Sequence, residues 1–140
     1  MLHRIAANAR RAGTMTVFTG RNAAGKALAA EALAHKLQTD LYRIDLRAVA
    51  SKWVGETEEN LNRLLDNAER SIAVLLFDEA DALFGKRTDV KDSHDRFAGS
   101  PALVERIESY RPLVILNFRA KDSFEPAMLA RVKFVVDFPD

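Results

Sequence analysis

The 140-residue sequence lacks cysteine altogether, and it has neither a long apolar run nor a charge excess of either sign. Without cysteine, the chain has no disulfide framework, no thiol nucleophile and no cysteine-ligated metal site. Its 21 Lys and Arg against 20 Asp and Glu give a net charge of +1, which argues against a protein that binds nucleic acid through a general basic field. No apolar segment approaches the roughly 20 residues that a bilayer-spanning helix needs.

The amino-terminal residues, Met1 to Arg4, contain neither the apolar segment nor the cleavage site of a secretory signal. They predict a surface helix rather than a transit peptide. Because domains cluster near about 100–150 residues, we expect a single domain over residues 1–140 with one core. We expect this domain to be cytoplasmic, with no membrane or nucleic-acid partner.

Extended and helical signals alternate along the chain, and this alternation predicts the fold class. The continuous apolar run at 72–77 is typical of a strand buried on both faces of a parallel sheet. Alternating strands and helices predict parallel strands joined by right-handed crossovers. The predicted strands are 14–19, 41–46, 72–77, 113–116 and 134–138, and the predicted helices are 26–37, 56–70, a short helix from Pro101 and a helical turn from Pro126.

Residues 20–27, between the first predicted strand and the first predicted helix after it, read GRNAAGKA and match the pattern G-x-x-x-x-G-K. In that context backbone N–H groups at a helix N-terminus converge on phosphate oxygens, and Lys26 adds a point charge. The alternative is a glycine-rich turn with a solvated lysine. The pattern favours phosphate binding by Gly20, Arg21, Asn22, Ala23, Ala24, Gly25, Lys26 and Ala27.

The last position of this pattern is Ala27, where a Ser or Thr hydroxyl ordinarily ligates Mg²⁺. Magnesium requires six ligands in near-octahedral geometry, so a water would have to replace the missing hydroxyl. We therefore expect weakened metal binding. Phosphate binding through backbone amides and Lys26 does not need that hydroxyl.

Two adjacent carboxylates, Asp78 and Glu79, directly follow the apolar run. In enzymes with a phosphate loop, such a pair lies at the C-terminal edge of a neighbouring strand. There the first acid holds Mg²⁺ and the second polarises the attacking water. A strand that ends in Asp-Glu is by itself more often followed by a solvated turn. Its distance from Lys26 along the chain favours catalytic roles for both acids, with Asp78 also the metal ligand.

Together these segments resemble the AAA ATPases, and among them bacterial ATPase domains. Residues 44–60 (IDLRAVASKWVGETEEN) resemble the family's second-strand region and substrate-contacting loop, and residues 75–97 resemble its acidic strand end and the loop after it. Residues 113–138 occupy the place of its sensor 1 and arginine-finger segments. The resemblance implies a P-loop NTPase-like three-layer α/β/α sandwich with a five-stranded parallel sheet. It also implies ATP and Mg²⁺ as ligands, and a ring of like subunits.

The resemblance assigns a further loop that spacing alone does not reveal. Lys52, Trp53, Val54 and Gly55 match the family's pore loop, which contacts a polypeptide substrate. The alternative is that Trp53 packs in the core or against the following helix.

Several positions depart from the family's pattern. The sensor 1 asparagine aligns with Arg119, while Asn117 lies two positions earlier. The two arginine-finger positions align with Ala130 and Lys133, and Arg131 beside them is a candidate substitute. An arginine finger contributes factors of about 10³–10⁵ in rate, and lysine lacks its bidentate geometry.

Two further departures concern Ala23 and the chain end. If position 23 requires a positive φ, alanine there costs about 1–2 kcal/mol. The family continues beyond Asp140 into a helical lid that contributes to subunit packing, so we expect mostly monomer.

We therefore expect an ATP-binding AAA-type core domain in which ATP hydrolysis, coupled to protein remodelling, is weakened. The alternative is a non-catalytic nucleotide-binding or assembly module.

Overall fold

The computed structural model describes residues 1–46, 48, 55–81, 101–119 and 131–139. In this part of the chain, strands and helices alternate as the sequence predicts. The strands are β1 (Thr14–Thr19), β2 (Leu41–Asp45), β3 (Val74–Asp78), β4 (Leu113–Asn117) and β5 (Phe134–Asp137), and the helices are α1 (Leu2–Arg11), α2 (Ala23–Lys36), α3 (Gly55–Arg70) and α4 (Pro101–Glu108).

The five strands form one parallel sheet in the order β2-β3-β4-β1-β5. In this register Asp45 lies opposite Asp78, and Phe18 lies opposite Asn117. The C-terminal ends of β2, β3, β4 and β1 therefore lie side by side at one edge of the sheet. The predicted five-stranded parallel sheet is confirmed.

Helices cover both faces of the sheet, because successive strand residues point to opposite sides. Val17 of β1 packs in a core cluster with Leu61 of α3 and Ile107 of α4. Its neighbour Phe18 packs in a second cluster with Leu33 of α2 and with α1. The structure therefore has the predicted three layers, and β1 is buried along its whole length.

The starts of two elements differ from the predicted ones by two residues or more, and the other predicted bounds that the structure describes agree to within one residue. Helix α2 begins at Ala23, three residues before the predicted start, because the Asn22 side chain caps it by accepting a 2.9 Å hydrogen bond from Gly25 N. Strand β3 begins at Val74, because Ile72 lies in the turn after α3 with φ +59° and 60% of its surface exposed. The predicted turn at Pro126 lies outside the described residues.

The amino-terminal residues form α1, as predicted for a helix, but one of its faces belongs to the core. Ile5, Ala6 and Ala9 are buried in the cluster that includes α2. None of the helices in the described part of the chain combines the length and the apolarity that a membrane span requires.

Candidate functional site

The turn after β1 begins at Gly20, whose backbone requires glycine. Its φ is +108°, and a Cβ atom there would lie 2.9 Å from the carbonyl carbon of Phe138 and closer still to the oxygen. Phe138 is held in place because its N–H donates a 2.8 Å hydrogen bond to the carbonyl of Thr19. The close approach of the chain after β5 therefore fixes the path of the turn.

Local hydrogen bonds close this turn into α2. Ala23 N donates to Arg21 O at 2.8 Å, and Lys26 N donates to Asn22 O at 3.0 Å, in addition to the cap on Gly25 N. Ala23 is not among the described residues with positive φ, so the conditional strain considered from the sequence does not arise. Three amides of the predicted phosphate loop thus have partners within the turn.

Lys26 extends from the first turn of α2 into the sheet edge and is 4% exposed. Its Nζ donates hydrogen bonds to the carbonyl oxygens of Gly20 and Phe118, the second at 3.2 Å. Burial lowers the pKa of Lys26 below its ordinary value of 10.5, although the nearby carboxylate of Asp78 opposes the shift. The site therefore holds a poorly solvated cation that an anionic ligand would stabilise.

Asp78 ends β3 and accepts hydrogen bonds from both neighbouring strands. Asn117, at the end of β4, donates from Nδ2 to Oδ1 at 2.8 Å. Arg43, in β2, places Nη2 3.0 Å from Oδ2. Sequence reasoning missed Arg43, although it is the one cationic residue in the strand predicted at 41–46.

Glu79 follows β3 with φ +57°, a left-handed conformation that is uncommon for a side chain of this size. Arg119 Nη2 lies 3.9 Å from Glu79 Oε1, and 73% of the arginine side chain is exposed. The position that aligns with sensor 1 therefore carries a cation beside Glu79. Asn117 lies beside Asp78 instead.

These groups line one cavity of about 630 Å³ at the C-terminal edge of the sheet. That volume lies within the range of about 300–1,000 Å³ typical of small-molecule sites, and ligands of open α/β sheets bind at this edge. Ala27 also lines it. Its charged lining residues are the cations Arg21, Lys26, Arg43 and Arg119 and the carboxylates Asp45, Asp78 and Glu79.

Other predicted site residues do not line this cavity. Arg131 Nη1 lies 2.8 Å from Glu108 Oε2, and Arg131 lines a separate cavity of about 310 Å³ together with Gly13, the residue before β1. Gly55 is the first residue of α3. Lys52, Trp53 and Val54, predicted to contact a polypeptide, lie outside the described residues.

The cavity fits phosphate groups better than it fits a magnesium ion. Lys26 is a buried cation at its wall, whereas both oxygens of Asp78 already accept hydrogen bonds. Ala27 supplies no hydroxyl, and the described residues contain no group of three or more His, Asp or Glu side chains placed to hold a metal ion. The predicted metal role of Asp78 stays a prediction.

The family model for the ATPase family associated with various cellular activities (AAA) matches residues 16–140. The chain belongs to the AAA family. Members of this family typically bind ATP, usually with Mg²⁺, and oligomerise. The match covers the turn after β1, the end of β3 and the end of β4, so the residues that line the cavity all lie within the AAA domain.

Three relatives show how this AAA domain compares with longer proteins. The AAA family ATPase y4kL of Sinorhizobium fredii is 32% identical over 96 residues, which are 69% of this chain and 29% of the relative. The Cell division cycle protein 48 homolog of Archaeoglobus fulgidus is 31% identical over 111 residues, 75% of this chain and 15% of the relative. The ATPase family AAA domain-containing protein 2 of Mus musculus is 32% identical over 131 residues, 87% and 13%. The chain spans less than a third of each relative.

Proposed function

We propose that the cavity binds the phosphates of ATP, with Lys26 as their buried counter-charge. The observation that carries this proposal is the position of Lys26 Nζ, buried between the carbonyls of Gly20 and Phe118 beside Asp78. A lysine held this way has lost its hydration, so a phosphate oxygen restores the interaction that burial removed. Membership of the AAA family supports ATP as the nucleotide.

We further propose that hydrolysis of ATP by this chain is slow. Glu79 would accept a proton from the water that attacks the terminal phosphate, yet the Arg119 guanidinium, with Nη2 3.9 Å from Glu79 Oε1, competes with that water for the carboxylate. Arg131 is paired with Glu108 and does not line the cavity of its own chain. It would act as an arginine finger only across a boundary between subunits.

In this proposal the inherited role is ATP-dependent remodelling of a polypeptide by a ring of like subunits. The support is the family match and the sequence of residues 52–55, which resembles the family's substrate-contacting loop.

The second candidate function is a non-catalytic nucleotide-binding or assembly module. The observation that favours it is that Asp78 pairs with Arg43 and accepts a hydrogen bond from Asn117. The guanidinium of Arg43 thus already offsets the charge of the carboxylate. Such a module keeps the fold and the phosphate site but does not turn over ATP.

Phosphate release from Mg-ATP distinguishes the two candidates. We expect slow turnover in the parent chain, its loss in Glu79→Gln, and parent-like turnover in Glu31→Gln, which changes an exposed acid on α2. Turnover that survives Glu79→Gln would contradict the role of Glu79. No turnover at any protein concentration, with ATP still bound, would favour the non-catalytic module.

A further inference from the structure

The side chain of Arg43 forms an ion pair with Asp78 at the wall of the cavity. It comes from β2, which pairs in parallel with β3 so that Asp45 lies opposite Asp78. Its Nη2 lies 3.0 Å from Asp78 Oδ2, with 53% of the arginine side chain and 24% of the aspartate side chain exposed. The contact therefore faces the cavity rather than the core.

Asn117 completes the enclosure of the same carboxylate. It donates to Asp78 Oδ1 from the strand on the other side, so both oxygens of Asp78 accept a hydrogen bond. A divalent cation that bound Asp78 would have to displace one of these donors. Mg²⁺ sheds its own waters reluctantly, and a guanidinium tethered to the adjacent strand competes at a high effective concentration.

The charge balance of the cavity also depends on Arg43. Four cations and three carboxylates line the cavity in the described part of the chain. Without Arg43 the described lining would have three cations and three carboxylates, so less positive charge would offset the repulsion between Asp78 and a polyphosphate. A divalent cation held by Asp78 would then supply the missing positive charge.

We propose that Arg43 excludes a divalent cation from Asp78 and supplies the positive charge that the cation would otherwise supply there. This chain would then bind nucleotide without depending on Mg²⁺. The nucleotide half of this inference rests on the proposed function, whereas the exclusion of metal from Asp78 is tested without nucleotide. The guanidinium offers several N–H donors in a fixed plane, which allows it to contact the carboxylate and a phosphate oxygen together.

The first experiment measures Mn²⁺ binding by electron paramagnetic resonance, with no nucleotide present. We expect Arg43→Gln to bind Mn²⁺ about two- to fivefold more tightly than the parent chain, because the carboxylate loses its competing cation. The double variant with Asp78→Asn should lose that gain. The control Arg63→Gln removes an exposed arginine of α3 outside the cavity and should match the parent.

The second experiment measures the Kd for ATP in EDTA and in excess Mg²⁺ by calorimetry. We expect the two values for the parent to agree within about threefold, and those for Arg43→Gln to differ by about tenfold, tighter with Mg²⁺. For Arg43→Lys, which keeps the charge but not the planar donors, the difference between the two Kd values should be intermediate between that of the parent and that of Arg43→Gln.

Equal Mn²⁺ binding by the parent and Arg43→Gln would overturn the inference. A parent affinity for ATP that rises tenfold or more with Mg²⁺ would overturn it as well. No ATP binding by the parent in either buffer would overturn the proposed function instead, and the Mn²⁺ titration would still decide whether Arg43 shields Asp78. Thermal melting of each variant confirms that it is folded.

Discussion

Asn117 and Asp78, which end two adjacent parallel strands, are joined by a 2.8 Å hydrogen bond from Nδ2 to Oδ1. The bond ties the ends of β4 and β3 together at the wall of the cavity. Because its acceptor is charged and partly buried, we expect Asn117→Ala to lower the free energy of unfolding by about 1–2 kcal/mol. The control Asn67→Ala, on the exposed face of α3, should change it by less than about 0.5 kcal/mol. Urea unfolding measures both, and equal effects would contradict the structural role of this bond.

The turn after β1 should tolerate no side chain at Gly20. Its φ of +108° and the nearby backbone of Phe138 would strain any other residue. We expect Gly20→Ala to lower the free energy of unfolding by at least about 2 kcal/mol. Gly13→Ala is the matched control, since its new Cβ would meet the flexible Arg111 side chain at 3.3 Å. A Gly20→Ala protein as stable as Gly13→Ala would disprove this geometry.

Tyr110 should make alkaline stability depend on one hydroxyl. Its OH donates a 2.6 Å hydrogen bond to the carbonyl of Ala73, and burial, aided by Glu69, raises its pKa above the ordinary 10.0. Above pH 10.0 the unfolded chain loses this proton while the folded chain keeps it, so stability falls as pH rises. We expect Tyr110→Phe to cost about 1–2 kcal/mol at neutral pH and to flatten this alkaline fall. Denaturant unfolding against pH measures both, and an unchanged slope would refute the assignment.

Nucleotide binding should be coupled to uptake of a proton by Lys26. Burial lowers the pKa of this lysine below 10.5 in the free protein, and phosphate oxygens beside it would raise that pKa again. At a pH between the pKa of Lys26 in the free protein and its higher pKa in the complex, binding of ATP therefore takes up protons, and the affinity falls as pH rises through this window. Calorimetry in buffers of different ionisation enthalpy measures the uptake. Binding of ATP without proton uptake in this window would contradict the role of Lys26.

Much of the fold could be predicted from local sequence. Strand β1 has the predicted bounds, 14–19, because a β-branched and apolar run ends at a glycine that the turn requires. The juxtaposition of Lys26 with Asp78 also follows from the pattern, since residues at the C-terminal ends of parallel strands meet at one edge. The start of α2 was harder to predict, because the cap formed by Asn22 depends on its side-chain orientation.

The contact between Arg43 and Asp78 could not be predicted in the same way. It depends on the pairing register of β2 and β3, which places the arginine side chain within reach of the carboxylate. Nothing in the local sequence of either strand sets that register. Ile72 is a different failure of prediction from local sequence. It continues an apolar, strand-like run, yet it lies exposed in a left-handed conformation in the turn after α3.

The most direct test of the account is the thermal shift produced by ATP in the parent chain, Lys26→Met and Lys36→Met. Lys26 is the buried counter-charge, and Lys36 is an exposed lysine at the end of the same helix. We predict a rise in Tm of roughly 8 °C at 100 times the Kd in the parent and in Lys36→Met, and none in Lys26→Met. No rise in the parent, or an equal rise in Lys26→Met, would contradict the central claim that this cavity binds nucleotide phosphates through Lys26.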